Sequence, residues 1–226
     1  MSPVAPPPPA FPDATGNLLL PGPAGRLEVA VELPVRSEAR RGLAVVCHPN
    51  PPDGGTMHNK VVTMTSRALA ECGLTCVRFN FRGTGNSEGS FDDGRGEVLD
   101  TLAVARWAMA AHPDHCLWLA GFSFGSWVAL QAARQLPVQQ MISIAPPVGR
   151  RDFTGVMPPP CPWLVIQGEK DEVVDAADVF AWVAKQSPAP SLVRMPDTGH
   201  FFHRRLLDLR GAIKNGVRKN LPPLAG

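Results

Sequence analysis

From residue 42 onward, short runs of consecutive apolar residues alternate with longer stretches in which apolar positions recur every three or four residues. The runs GLAVVCH (42–48), LTCVRFNF (74–81), HCLWLAG (115–121), QQMISIAP (139–146), PWLVIQG (162–168) and PSLVRMP (190–196) have the length of strands and no polar face. That is the pattern of a parallel sheet covered on both sides. Helices are predicted between them at about 59–72, 95–111, 124–135, 175–186 and 201–219. In the second of these Val98, Leu102, Ala105 and Met109 fall on one stripe. Ahead of this alternation Leu27, Val29, Val31 and Leu33 interleave with Glu28 and Glu32 after a Pro/Gly turn, which predicts an antiparallel hairpin. The order implies one α/β domain over residues 16–226, a mostly parallel doubly wound sheet whose ligands sit beyond the carboxyl ends of the strands. Residues 1–15 carry six prolines and read as a tail or adaptor strand, with a proline-recognition ligand as the alternative.

Composition narrows the chemistry. With 44% apolar and 19% charged residues the chain is of ordinary globular type, and a net charge of +2 provides no large field to attract nucleic acid or an anionic membrane. No stretch reaches the ~18 to 20 apolar residues of a membrane span, and the N-terminus has neither the basic nor the apolar region of a signal peptide. The five cysteines, odd in number and mostly in apolar runs, fit a reduced, cytoplasmic setting. RGTGNSEG (82–89) misses the dinucleotide-binding spacing, and there is no phosphate loop, H-E-x-x-H or paired C-x-x-C, so neither cofactor nor metal is expected.

Candidate chemistry therefore falls to side chains just after strands. Ser123 lies in GFSFG (121–125), a G-x-S-x-G turn between a predicted strand and a predicted helix, where a serine can be held out as a nucleophile. A serine needs a base and an orienting carboxylate, and both follow later strands: Asp171 in QGEKDEVV and His200 in PDTGHFFH. Glu169 is an alternative acid and His203 an alternative base. Asp175 reads as a helix N-cap, and Asp197 lies too near His200 in sequence to be the obvious partner. The N–H of Phe124 is one expected oxyanion donor. In the loop HPNPPDGGTMHNK, Pro49, Pro51 and Pro52 have no N–H, which leaves Asn50 as the second.

The blocks CHPNPPDGGTMHNKVV, FNFRGTGNSEG, GFSFGSWVAL, IQGEKDEVV and TGHFFH, in this order, resemble the α/β-hydrolase superfamily, and within it a group of small bacterial serine hydrolases lacking a lid. The resemblance implies an α/β-hydrolase fold, Ser123 as nucleophile, Asp171 as acid, His200 as base, and Asn50 and Phe124 as oxyanion donors. Relatives often read H-P-H-P where this chain has Asn50, which bears on substrate preference. Only residues 146–161 separate two strands at the place where relatives with lids insert a cap domain, so an open site and small or short-chain acyl groups are expected. Phe122, Phe201 and Met57, with Phe124 and Phe153, are candidates for its apolar wall. The implied activity is cleavage of carboxylic esters through an acyl-enzyme; a thioesterase is the alternative, and a non-catalytic binding protein with the proline-rich tail as its contact is a more distant one. With an ordinary histidine pKa near 6.5, turnover by His200 would fall below about pH 6 to 7.

Overall fold

The computed structural model describes residues 8–226; the first part of the proline-rich tail, residues 1–7, lies outside the described residues. The hairpin forms from β1 (Gly16–Gly22) and β2 (Gly25–Glu32), antiparallel to each other. The six apolar runs become β3 (Gly42–Cys47), β4 (Thr75–Phe79), β5 (Cys116–Phe122), β6 (Val138–Ile144), β7 (Trp163–Gly168) and β8 (Ser191–Met195), all parallel. Together they make one sheet in the order β1-β2-β4-β3-β5-β6-β7-β8.

The helices are α1 (Lys60–Ala70), α2 (Arg95–Ala111), α3 (Phe124–Ala133), α4 (Ala176–Ala184) and α5 (Leu206–Val217). Alternation along the buried strands divides the core in two. Leu43, Val45, Leu117, Leu119 and Val165 pack with α2, α3 and α4, whereas Ala44, Val46, Trp118, Ala120, Phe122, Leu164 and Ile166 pack with α1 and α5. Every residue of β3 and β7 is buried, as a strand covered on both faces requires. No cap is inserted between β6 and β7, where residues 145–162 form a loop. No helix among the described residues is long and apolar enough to cross a membrane.

The order of the sheet locates its crevice. From β3 the chain moves to β4 on one side and then crosses to β5 on the other, so the winding reverses between β3 and β5. The loops leaving these two strands diverge there, which in sheets of this kind is where ligands bind. Both GFSFG and the Asn50 loop leave from this point.

Three sequence expectations change. The last helix begins at Leu206 rather than at residue 201, because Phe202 and Arg204 take positive φ values of 52° and 60° and cannot lie in a right-handed helix. Its basic run (Arg204, Arg205, Arg210, Lys214, Arg218 and Lys219), which the sequence alone presents as a solvated helix face, is not simply solvated, since Arg210 and Lys214 both reach Glu71 at the end of α1. The described part of the tail is also packed: Phe11 stacks on Trp107 of α2 at 4.7 Å, and the Trp107 indole N–H donates to the Pro9 carbonyl at 2.9 Å. An aromatic among the prolines supplies the packing that prolines alone do not.

Candidate active site

Ser123 is the single residue between β5 and α3, with φ 51° and ψ −123°. A positive φ at a residue with a Cβ costs about 1–3 kcal/mol and persists only where the surroundings enforce it. Here they do. The Ser123 N–H donates to the Ile144 carbonyl at 2.8 Å, and the Ser123 carbonyl accepts from the N–H and Oγ of Ser126 at 2.8 and 2.7 Å. The two flanking glycines allow the turn to be this tight: a Cβ on Gly121 would strike the Gly125 carbonyl, and one on Gly125 would strike the carbonyls of Cys47 and His48. The motif therefore presses the first turn of α3 against the end of β3.

Asp171 follows β7 and His200 follows β8, and the two turns interlock. A Cβ on Gly168 would meet the Thr198 carbonyl, to which the Lys170 N–H donates at 3.0 Å. His200 Nδ1 lies 2.8 Å from Asp171 Oδ2, and Nε2 lies 3.1 Å from Ser123 Oγ. Asp171 Oδ2 also accepts from Gln167 Nε2 at 2.9 Å, while Oδ1 accepts from the N–H groups of Val173 and Val174 at 2.9 and 2.7 Å. Burial alone would raise this carboxyl, but the hydrogen bonds from His200, Val174 and Gln167 outweigh it and hold Asp171 below the ordinary carboxylate value. An anionic Asp171 only accepts, so Nδ1 of His200 carries the proton and Nε2 presents its lone pair to the serine hydroxyl. The imidazole is braced by Phe122 beneath it and Phe201 edge-on, each with ring centres 5.1 Å away. The backbone N–H of His200 donates to Glu172 at 3.1 Å.

The other acids and bases are engaged elsewhere. Asp175 caps α4 through the Ala177 N–H, Asp197 pairs with Lys170, and Glu169 and His203 are exposed. Burial raises all five thiols above their ordinary values, Cys47 to about 12 and Cys161 to about 11, which leaves them in the inert neutral form.

On the far side of Ser123, Phe124 opens α3, so its N–H has no partner within the helix. Asn50 is the third residue of the loop after β3. Its side chain donates to Asp53 at 2.8 Å and its carbonyl accepts from Asp53 and Gly55, while its own N–H meets no acceptor among the described residues. Two buried residues brace this loop. His48 bonds the Pro49 carbonyl through Nδ1 at 2.7 Å and accepts the Phe81 N–H on Nε2 at 3.0 Å. Asn80 accepts the Met57 N–H at 2.8 Å. Burial pushes the His48 pKa down to about 4, the Pro49 contact offsetting only part of the effect.

The expected apolar wall is placed differently. Met57 is fully enclosed, Phe122 lies under the imidazole, and the Phe124 ring is buried among Phe81, Phe91 and Trp127 with the Arg151 guanidinium over it. Phe153 packs on Trp182. Of the five candidates only Phe201, 44% exposed, offers apolar surface beside His200. Sequence reasoning passed over His48 and Gln167, which end the apolar runs of β3 and β7 and touch the site from inside.

A parallel sheet with this winding, and a serine held in a strained turn at its reversal point, define an α/β hydrolase. The chain matches the model of the alpha/beta hydrolase fold family over residues 54–160. It is similar to XC6422 from Xanthomonas campestris, described as a member of the serine hydrolases without lid, at 56% identity over 95% of this chain and 98% of that one, with a TM-score of 0.92. It is similar also to an alpha-beta serine hydrolase homologue from Coxiella burnetii, at 42% identity over 92% of this chain and all of the other, with a TM-score of 0.88. The uncharacterized protein RP471 of Rickettsia prowazekii is 35% identical over 204 residues, 86% of this chain and 85% of that protein. The chain belongs to the α/β-hydrolase superfamily, in its group of lidless bacterial serine hydrolases, and is a hydrolase.

Proposed function

We propose that the protein is a serine carboxylester hydrolase that cleaves small or short-chain esters through an acyl-enzyme. The observation that carries this reading is the unbroken series Ser123 Oγ, His200 Nε2, His200 Nδ1, Asp171 Oδ2, at 3.1 and 2.8 Å. His200 takes the hydroxyl proton as Ser123 Oγ attacks the ester carbonyl, and Asp171 stabilises the imidazolium that forms. The N–H groups of Phe124 and Asn50 receive the charge that develops on the carbonyl oxygen. His200 then passes its proton to the leaving alkoxide, and a water molecule repeats the attack to release the acid. The single exposed phenylalanine beside the imidazole supports a preference for short acyl groups, which need no deep apolar slot.

A fluorophosphonate probe is expected to label Ser123 in the folded protein, and p-nitrophenyl acetate is expected to turn over faster than the long-chain esters. Ser123→Ala should abolish labelling and reduce kcat by about 10⁵-fold or more with an unchanged fold. Labelling or turnover that survives this substitution would refute the mechanism. Matched oxygen esters and thioesters, compared by kcat/KM, assign the preferred leaving group.

A further inference from the structure

We infer that His48 is a positioning residue for the oxyanion donor: by holding the Pro49 carbonyl inward, it aims the Asn50 N–H outward at the site of reaction. The inference rests on the reading that the Asn50 N–H receives the oxyanion.

A trans peptide is planar, with its C=O and N–H pointing in opposite directions. The direction of the Asn50 N–H is therefore set by whatever holds the Pro49 carbonyl. That carbonyl is held by His48 Nδ1 at 2.7 Å. On its other side Gly55 approaches so closely that a Cβ there would strike the Pro49 oxygen. The prolines remove most other freedom. Pro49 has a fixed φ, and Asn50, which precedes Pro51, is confined to an extended conformation, found at φ −54° and ψ 119°. What remains is rotation of the Pro49–Asn50 peptide plane, and His48 opposes it.

The partners also fix the chemical state of His48. The Phe81 N–H can only donate, so Nε2 must be bare, and Nδ1 must then carry the proton that the Pro49 carbonyl accepts. His48 is fully buried, and among the described residues its ring nitrogens hydrogen-bond only the Pro49 carbonyl and the Phe81 N–H. The geometry also connects the two oxyanion donors. Gly125 packs against the His48 carbonyl, so the start of the Asn50 loop and the first turn of α3, which carries the Phe124 N–H, are built against each other.

Two substitutions separate the contacts of His48. Asparagine places an amide donor near the position of Nδ1 and keeps the bond to Pro49. Glutamine reaches one bond further, to the position of Nε2, and keeps only the contact with Phe81. With p-nitrophenyl acetate, His48→Gln is expected to lower kcat by about 10²-fold, the scale for losing one oxyanion donor, with KM changed less than about twofold. His48→Asn should recover most of that loss, to within about tenfold of wild type, although both variants lose stability. Equal kcat in the two variants, or wild-type kcat in His48→Gln, overturns the inference while ester turnover and Ser123 labelling leave the functional reading standing. A wild-type protein that neither labels nor turns over removes that reading and the inference with it. Should neither variant fold, the wild-type protein decides: ¹⁵N shifts are expected to show His48 protonated at Nδ1 and bare at Nε2 from pH 5 to 8, and the opposite tautomer overturns the proposal.

Discussion

Asp100 and Asp171 both end in fully buried carboxylates with hydrogen bonds on both oxygens, yet the regions around them serve different purposes. Asp100, in α2, takes all its side-chain hydrogen bonds from one residue: the backbone N–H and Nε of Arg82 at 3.0 Å each, and a terminal guanidinium nitrogen at 2.7 Å. The pair clamps the glycine-rich segment after β4 to α2, and a Cβ on Gly96 would meet the same guanidinium. Asp171 takes its bonds from four residues, and one of them, His200, has a second nitrogen facing a hydroxyl. Arg82 is always charged, so its pair is static. In the proposed mechanism His200 gains a proton from Ser123, and the carboxylate waiting beside it then faces a new cation. Burial and saturated hydrogen bonding are common to both sites, and what separates them is whether the partner can exchange a proton.

The strongest way to break this contrast is to neutralise Asp171. Asp171→Asn keeps the shape but permits the wrong histidine tautomer, and kcat should fall by about 10⁴-fold, about 5 kcal/mol in the barrier, in a protein that still folds. A loss below tenfold would mean that Asp171 is as static as Asp100. The complementary change, Asp100→Ala, leaves a nearly buried guanidinium without its partner and should cost about 3–5 kcal/mol of folding stability in chemical denaturation. The folded fraction should still label at Ser123. If Asp100→Ala leaves stability within about 1 kcal/mol of wild type, the clamp is not the structural element described.

The two regions were unequally legible in the sequence. Ser123, Asp171 and His200 were readable because each sits in a polar or glycine-marked turn directly after an apolar run, and the sheet brings the ends of β5, β7 and β8 to one side. Asn50 stood out because three prolines around it have no N–H to offer. His48 and Gln167 were not readable, because each terminates an apolar run and a buried polar side chain leaves no periodic mark. Phe122 and Phe124 were misread as wall for a related reason. An aromatic next to Ser123 in sequence points to the opposite face of the strand or into a helix interface, as Phe122 does with Trp118 and Ala120 and Phe124 does with Phe81 and Trp127. The start of α5 was misplaced because two positive-φ residues, Phe202 and Arg204, are not glycines and gave no signal.

A smaller change sharpens the comparison from within the Asp171 site. Gln167 is fully buried, donates to both Asp171 Oδ2 and the Gly168 carbonyl, and leaves its own Oε1 without a partner. Gln167→Met removes one of four hydrogen bonds to the carboxylate, and also removes the unpartnered oxygen. The net cost should be about 1–2 kcal/mol of stability, less than for a fully satisfied amide, with kcat reduced less than about tenfold. If kcat instead falls as far as in Asp171→Asn, Gln167 and not the backbone N–H groups fixes the carboxylate.

The least effect at neutral pH, and the most selective, comes from titration. The hydrogen bonds from His200, Val174 and Gln167 lower the folded-state pKa of Asp171 below that of the unfolded chain, near 3.9. A lowered carboxylate pKa contributes stability that is fully present above the unfolded value and is lost as pH falls through the folded one, because only the unfolded chain binds the proton in between. Wild-type and Asp171→Asn melting curves should therefore keep a constant separation from pH 7 down to about pH 5, and then converge as the pH drops below about 4. Curves that stay parallel to pH 3 would mean that the fold does not lower the Asp171 pKa below its unfolded value. The hydrogen bonds around Asp171 would then favour its anion no more than water does in the unfolded chain.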